Sequence, residues 1–235
     1  MRETGLRRLK EARLSLNDPS YLFYKPLLSD LRKAISSYAK GDVLDIGCGN
    51  KPYLSYLEGH ITTYTGCDVV QSDQNCVDII CLANDIPLPD ASKDTVFSTQ
   101  VIEHVADHAG LLAEGYRILK AGGYAIVSGP MYWEHHEAPH DYFRFTRFGF
   151  EHIFEQAGFK NIQIIPNGGK WNLTGQMIQN NLRSSMTGKG LGRKLLKGWY
   201  WLFRVKWFIH IFFDWLDRRD PDYSTTLNFL VIAQK

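Results

Sequence analysis

Short apolar runs alternate with helical repeats along most of this chain. Val43-Leu44-Asp45-Ile46 is an apolar run that ends at two glycines one residue apart, Gly47 and Gly49. It reads as a buried parallel strand turning sharply into a short helix over 53–57. Further runs predict strands at 64–70, 77–82, 95–100, 124–128, 159–166 and 227–235. Between them, Leu27, Leu28, Leu31, Ile35 and Tyr38 recur at helical spacing, with Pro26 expected in the first turn and Gly41 as the stop. A second helix is expected from Leu111 to a stop at Gly122-Gly123. A third runs from an N-cap at Thr146 to Ala157, before Gly158. Strands that alternate with helices in this way predict an α/β sheet.

The residues at the strand ends narrow the ligand. Gly47 and Gly49 bring bare backbone close to whatever binds at the turn. Asp45 places a negative charge there, which suits a cationic group and hydroxyls better than a pyrophosphate. Asp68 follows 23 positions later at the tip of the next strand, the usual spacing for a carboxylate that accepts both ribose hydroxyls. Asp45-Ile46-Gly47-Cys48-Gly49 resembles the first motif of the class I S-adenosylmethionine-dependent methyltransferases, of the type 11 group. The run from Asp85 to Ser128 is similar to that family too: Leu88-Pro89, Asp94 and Val96, Glu103-His104-Val105, then Arg117-Ile118-Leu119-Lys120 before Gly122-Gly123.

The resemblance covers roughly 41–165 and 226–235. It implies a Rossmann-like, seven-stranded, mostly parallel sheet whose last strand inserts antiparallel between the fifth and sixth. It implies S-adenosylmethionine as cofactor, held by Asp45, Gly47, Cys48, Gly49, Asp68, Val69, Asn84, Asp85, Ile86 and Gln100. Asn84 or Asp85 would meet the adenine amino group while Ile86 covers the ring. Two departures stand out. Lys93 occupies a position that is commonly aromatic, and Asn50-Lys51-Pro52-Tyr53 follows the glycines, with Lys51 either a counter-charge for the methionine carboxylate or a solvated side chain. Tyr21 and Tyr24, ahead of the first strand, either face the sulfonium or pack their helix on the sheet.

The segment 129–146 is dense in aromatics, acids and three histidines, His135, His136 and His140. It follows the carboxyl end of a strand, where ligands bind in open α/β sheets. Methylating an alcohol benefits from a base, and His140 or Asp141 is the candidate. The competing reading has this pair tie down the loop and cap the next helix. The histidines, with Glu103-His104 and Asp107-His108, could also ligate a metal. No cysteine joins them and the two clusters need not converge, so no metal site is expected. His136-x-x-Pro139-His140-Asp141-Tyr142-Phe143-Arg144-Phe145-Thr146 also resembles bacterial methyltransferases of cell-surface glycan synthesis.

About 60 residues separate the sixth and last strands, far beyond an ordinary loop. From Gln156 to Phe213 there is no acid, while Arg183, Lys189, Arg193, Lys194, Lys197, Arg204 and Lys206 are among the bases. Gly188, Gly190 and Gly192 divide a first polar helix from an aromatic segment, 195–216, that carries Trp199, Trp201, Trp207 and Trp215. Its polar positions form two stripes, which predicts a bend or burial on two sides. A basic, tryptophan-rich helix suits an anionic membrane surface, assigned here to 189–216. A homodimer interface is the competing reading, and nucleic acid is disfavoured because the aromatics form one block.

Composition adds bounds. At 235 residues with net charge +2, the chain divides into an N-terminal helical cover (1–40), a methyltransferase domain (41–168 with 224–235) and the insertion (169–223). Cys48, Cys67, Cys76 and Cys81 are expected reduced and buried, without a C-x-x-C pair. The first residues lack a signal-peptide core, and no run is long enough to span a bilayer. The expectation is a cytoplasmic enzyme, peripheral on the inner membrane face. It would O-methylate a sugar or lipid-linked acceptor bound between His140 and the insertion. The alternatives are a methyltransferase for a soluble small molecule and a non-catalytic S-adenosylmethionine-binding scaffold.

Overall fold

The computed structural model describes Leu9 and residues 11–235; most of the basic stretch at the start lies outside the described residues. One sheet holds seven strands: β1 Asp42–Ile46, β2 Thr63–Asp68, β3 Ile79–Ile80, β4 Lys93–Thr99, β5 Leu119–Pro130, β6 Lys160–Asn167 and β7 Asn228–Gln234. Their order is β3-β2-β1-β4-β5-β7-β6. β1 pairs in parallel with β2 and β4, and so do β2 with β3 and β4 with β5. β7 is antiparallel: Gly122 and Gly123 near the start of β5 exchange main-chain bonds with Lys235, just past the end of β7. The chain alternates these strands with helices α1 Tyr21–Tyr38, α2 Leu54–Leu57, α3 His108–Ile118 and α4 Arg147–Gln156. The antiparallel insertion of the last strand and the cap of α4 are as the sequence predicts; the Thr146 hydroxyl accepts from Gly149 N–H at 3.0 Å.

Contacts divide the chain into two compact units. The first comprises the described residues up to Ala12, Ser29–Ile165 and Phe229–Lys235. Its core is the central strands and the helices on them, with Leu44, Phe97, Ile126, Phe150 and Phe154 fully buried. Asp94 braces the entry to β1: its carboxylate accepts from Asp42 N–H at 2.8 Å, and a Cβ at Gly41 would strike it. Lys93 is buried and reaches the Thr65 hydroxyl.

Three local expectations are corrected. α3 ends at Ile118, not at the glycine pair, because Leu119 already pairs with Lys93 of β4. The register then shifts before Thr95 meets Tyr124, and Gly123 fills the bulge where a Cβ would lie 2.9 Å from two carbonyl oxygens. Pro26 lies inside α1, since the helix begins at Tyr21. The third strand shrinks to two paired residues at the sheet edge, where Ile80 and Leu82 are exposed and Cys81, like Cys76, is only partly buried.

The second unit comprises Arg13–Leu28 and Pro166–Asn228, and holds α5 Lys170–Ser185, α6 Leu191–Leu202 and α7 Val205–Arg219. The aromatic segment breaks at Arg204, whose left-handed backbone (φ 50°) turns α6 into α7. Asp217 on α7 accepts from the main-chain N–H groups of Gly169, Trp171 and Asn172, and so closes the start of α5. Lys25 meets Asp214 at 2.6 Å, and Tyr21 stacks on His210. The Tyr21 ring is thus a packing group. No described helix is long and apolar enough to cross a membrane.

Candidate functional site

Parallel pairing brings the first set of expected residues together. Asp45 pairs with Gly66 and Ile46 with Cys67, so the ends of β1 and β2 lie side by side. The turn after β1 then curls over the end of β2: Gly47 and Cys48 both donate to the Cys67 carbonyl. Gly47 has φ +75°, and a Cβ there would lie 2.4 Å from Val101, so only bare backbone fits. Asp68 is buried at the strand tip. One of its oxygens accepts from Gly49 N–H at 3.1 Å and the other from Val69 N–H at 2.7 Å. The two bonds lock the carboxylate and the glycine turn in one arrangement.

Asp45 is buried and accepts a hydrogen bond from the Tyr64 hydroxyl. Burial pushes its carboxyl up to about 7; the Tyr64 bond opposes this, and the neighbouring Asp68 charge adds to it. Lys51 does not hang in solvent. It is paired with Asp78 at 2.6 Å and lies over the Tyr64 ring. Farther along the edge, Asn84 donates to Asp107, the cap of α3, and Asp85 beside it is exposed. Ile86 is a core residue pinned through its main chain by Glu114 and Arg117. Gln100 adopts φ 56° at the end of β4 and bonds to Ser128 of β5.

The second set gathers after β4 and β5. The chain leaves β4 through a 3-10 turn, Ile102–His104, and leaves β5 into the loop 131–146. The Glu103 carbonyl accepts from Tyr142 and Phe143 N–H and ties the loop to that turn. Asp141 is held by Arg144 at 2.7 and 2.9 Å and accepts from His136 N–H. The Arg144 guanidinium keeps the Asp141 carboxyl well below the ordinary carboxylate range, so Asp141 is a loop brace and a poor proton acceptor. His140 is partly exposed. Its Nδ1 lies 3.0 Å from the Tyr142 hydroxyl, and its carbonyl oxygen accepts from His104 Nδ1 at 2.8 Å.

The two histidine clusters do converge, in part. Glu103, His104 and His136 bring one ligand atom each within 4.8 Å of one another. His135 points fully into solvent and His108 packs on Phe143 and Phe145. Glu103 is completely buried, and burial pushes its carboxyl up to about 8. The signals for this corner were the adjacent Glu103-His104 pair and Arg144, three residues after Asp141; which groups they would meet was not readable from spacing.

Residues 44–127 match the family described as methyltransferase domain. Residues 44–127 are thus similar to methyltransferase domains. Over 110 residues the chain is 33% identical to a chloroplastic 2-methyl-6-phytyl-1,4-hydroquinone methyltransferase of Arabidopsis thaliana, covering 45% of this chain and 30% of that one. The chain spans less than a third of the length of the first curated relatives it matches. An S-adenosylmethionine-dependent methyltransferase from Archaeoglobus fulgidus shares the fold at TM-score 0.56 and 18% identity, over 90% of this chain and 94% of that one. Phosphoethanolamine N-methyltransferase 2 of Haemonchus contortus, solved with S-adenosylmethionine, matches at TM-score 0.53 and 16% identity, over 94% of this chain and 58% of that one.

The fold is that of the solved S-adenosylmethionine-dependent methyltransferases. The residues at the ends of β1 and β2 fit S-adenosylmethionine, because two buried acids, Asp45 and Asp68, favour a cation. When bound, the cofactor supplies an electrophilic methyl group on a sulfonium. The chain's own contribution is to fix Asp68 through Gly49 and Val69 and to keep Asp45 where a positive charge would ionise it.

Proposed function

We propose that this chain methylates an oxygen of a sugar or lipid-linked acceptor at a membrane surface, as a peripheral protein on the inner face. Asp68 accepts the ribose hydroxyls of the cofactor, Asp85 meets the adenine amino group, and Asp45, Gly47, Cys48 and Gly49 line the methionine side. Val69, Ile86 and Gln100 complete the contacts. His140 is the base that takes the acceptor hydroxyl proton as the methyl group passes to oxygen. The sequence resemblance of 136–146 to glycan methyltransferases supports the acceptor class.

The observation that carries the membrane reading is the outer face of α6 and α7. Leu191, Leu195, Trp201, Leu202, Phe203 and Phe208 are all exposed there, Leu202 at 76%. Beside them lies a cavity of about 300 Å³ lined by Arg183, Lys197, Lys206 and Trp201, suited to an anionic headgroup. The matched Arabidopsis enzyme is named for a phytyl-bearing hydroquinone, which agrees with a lipid-like acceptor. Flotation with vesicles of anionic phospholipid tests the reading. The intact protein should rise with anionic vesicles and stay behind with neutral ones. Failure to rise with either would leave the face to a second copy of the chain, and the oligomeric state would then show a dimer.

A further inference from the structure

We propose that Glu103, His104 and His136 form a binding site for a divalent transition-metal ion such as zinc or cobalt. Three observations carry this, and they are independent of the cofactor turn. First, the Glu103 side chain is fully buried, and neither carboxylate oxygen has a hydrogen-bond partner. A buried carboxylate without partners is costly unless something positive meets it. Second, both imidazoles are oriented by main-chain carbonyls: His104 Nδ1 by His140 at 2.8 Å, and His136 Nδ1 by Glu134 at 3.1 Å. A carbonyl only accepts, so each Nδ1 carries the proton and each Nε2 presents a lone pair. This is the arrangement that holds metal-ligating histidines in place.

Third, the geometry is compact. His104 Nε2 lies 3.8 Å from Glu103 Oε1, the two imidazole rings are 4.6 Å apart, and all three ligand atoms fall within 4.8 Å. Arg144, the nearby cation, is neutralised by Asp141 and does not oppose a second positive charge. Two imidazoles and one carboxylate select borderline ions over magnesium or calcium, which prefer all-oxygen shells. Three protein ligands leave a position open, and His136 is the half-buried member through which a small oxygen ligand would reach it. If the methyltransferase reading holds, that ligand is the acceptor hydroxyl, which the ion would acidify; the site itself does not depend on that reading.

The test uses the full chain stripped of metal and titrated with cobalt(II), followed by visible absorption and by metal analysis after gel filtration. Binding of one ion per chain, reversed by zinc, and a rise in melting temperature with either ion are expected. His136→Ala and Glu103→Gln should each weaken binding by more than about tenfold, the least that losing a group that merely orients a ligand costs. His136 is partly exposed, so its variant decides the matter if the Glu103 variant does not fold. No stoichiometric binding by the wild type, or binding undiminished in the folded variants, would overturn the site. Calorimetry with S-adenosylmethionine on the same metal-free protein separates this from the cofactor reading: cofactor binding without metal binding removes only the metal site, and the reverse removes only the cofactor assignment.

Discussion

The turn after β1 and the loop after β5 both collect acids at the same edge of the sheet, but by opposite means. At the turn, main-chain pairing does the placing. Asp45 and Asp68 occupy fixed positions on adjacent parallel strands, and Asp68 is locked by two main-chain N–H groups. In the loop, side chains do the placing. Asp141 is held by Arg144, His104 is aimed by one carbonyl and His136 by another, and Glu103 anchors the loop through its own carbonyl. A site set by strand register tolerates side-chain change around it; a site set by side-chain ties fails when one tie is cut.

Replacing Asp68 with Ala should have the largest effect. It removes the proposed acceptor for both ribose hydroxyls and frees the Gly49 turn, so affinity for S-adenosylmethionine should fall about a hundredfold or more by calorimetry. Unchanged affinity would mean the turn binds something else. Arg144→Ala should act on the other region. It leaves Asp141 buried without its partner and should lower stability by about 1–3 kcal/mol in denaturant melts, with cofactor affinity kept within about twofold. Equal losses of stability and cofactor affinity would show that the two regions are not separable.

A smaller effect is read in pH. The folded Asp45 carboxyl is raised to about 7 from an ordinary 3.8, so the folded state holds a proton that the unfolded chain has released between those values. The stability from this group is present below about pH 4 and is lost as pH rises to about 7. Asp45→Asn should flatten that part of the stability profile in thermal melts. The smallest effect on the fold, though not on location, is expected for Leu202→Asp on the exposed face of α6. Stability should shift by less than about 0.5 kcal/mol, while vesicle flotation should drop markedly.

Most of the fold was legible because strands and helices write their periods locally. The glycine turn and the Thr146 cap are features of a few adjacent residues, and the spacing of Asp45 and Asp68 is one strand–helix–strand repeat. The errors lie where a distant pairing overrode local pattern. Gly122-Gly123 looked like a helix stop but fills a bulge beside Asp94. Lys51 looked solvated but found Asp78, 27 positions away. Of the two readings open for Asp141, base or loop tie, its bonds to Arg144, only three residues on, favour the tie.

The sequence alone determined the α/β alternation, the acid-and-glycine turn and the basic, aromatic character of the insertion. These follow from periodicity and composition, which short-range sterics and hydrophobic burial translate directly into elements. Only the tertiary structure decided that Glu103 is buried without a partner, that His104 and His136 converge on it, and that Arg204 bends the aromatic segment into two helices. Burial and side-chain convergence depend on what packs above each residue, and residues far apart in the chain supply that packing.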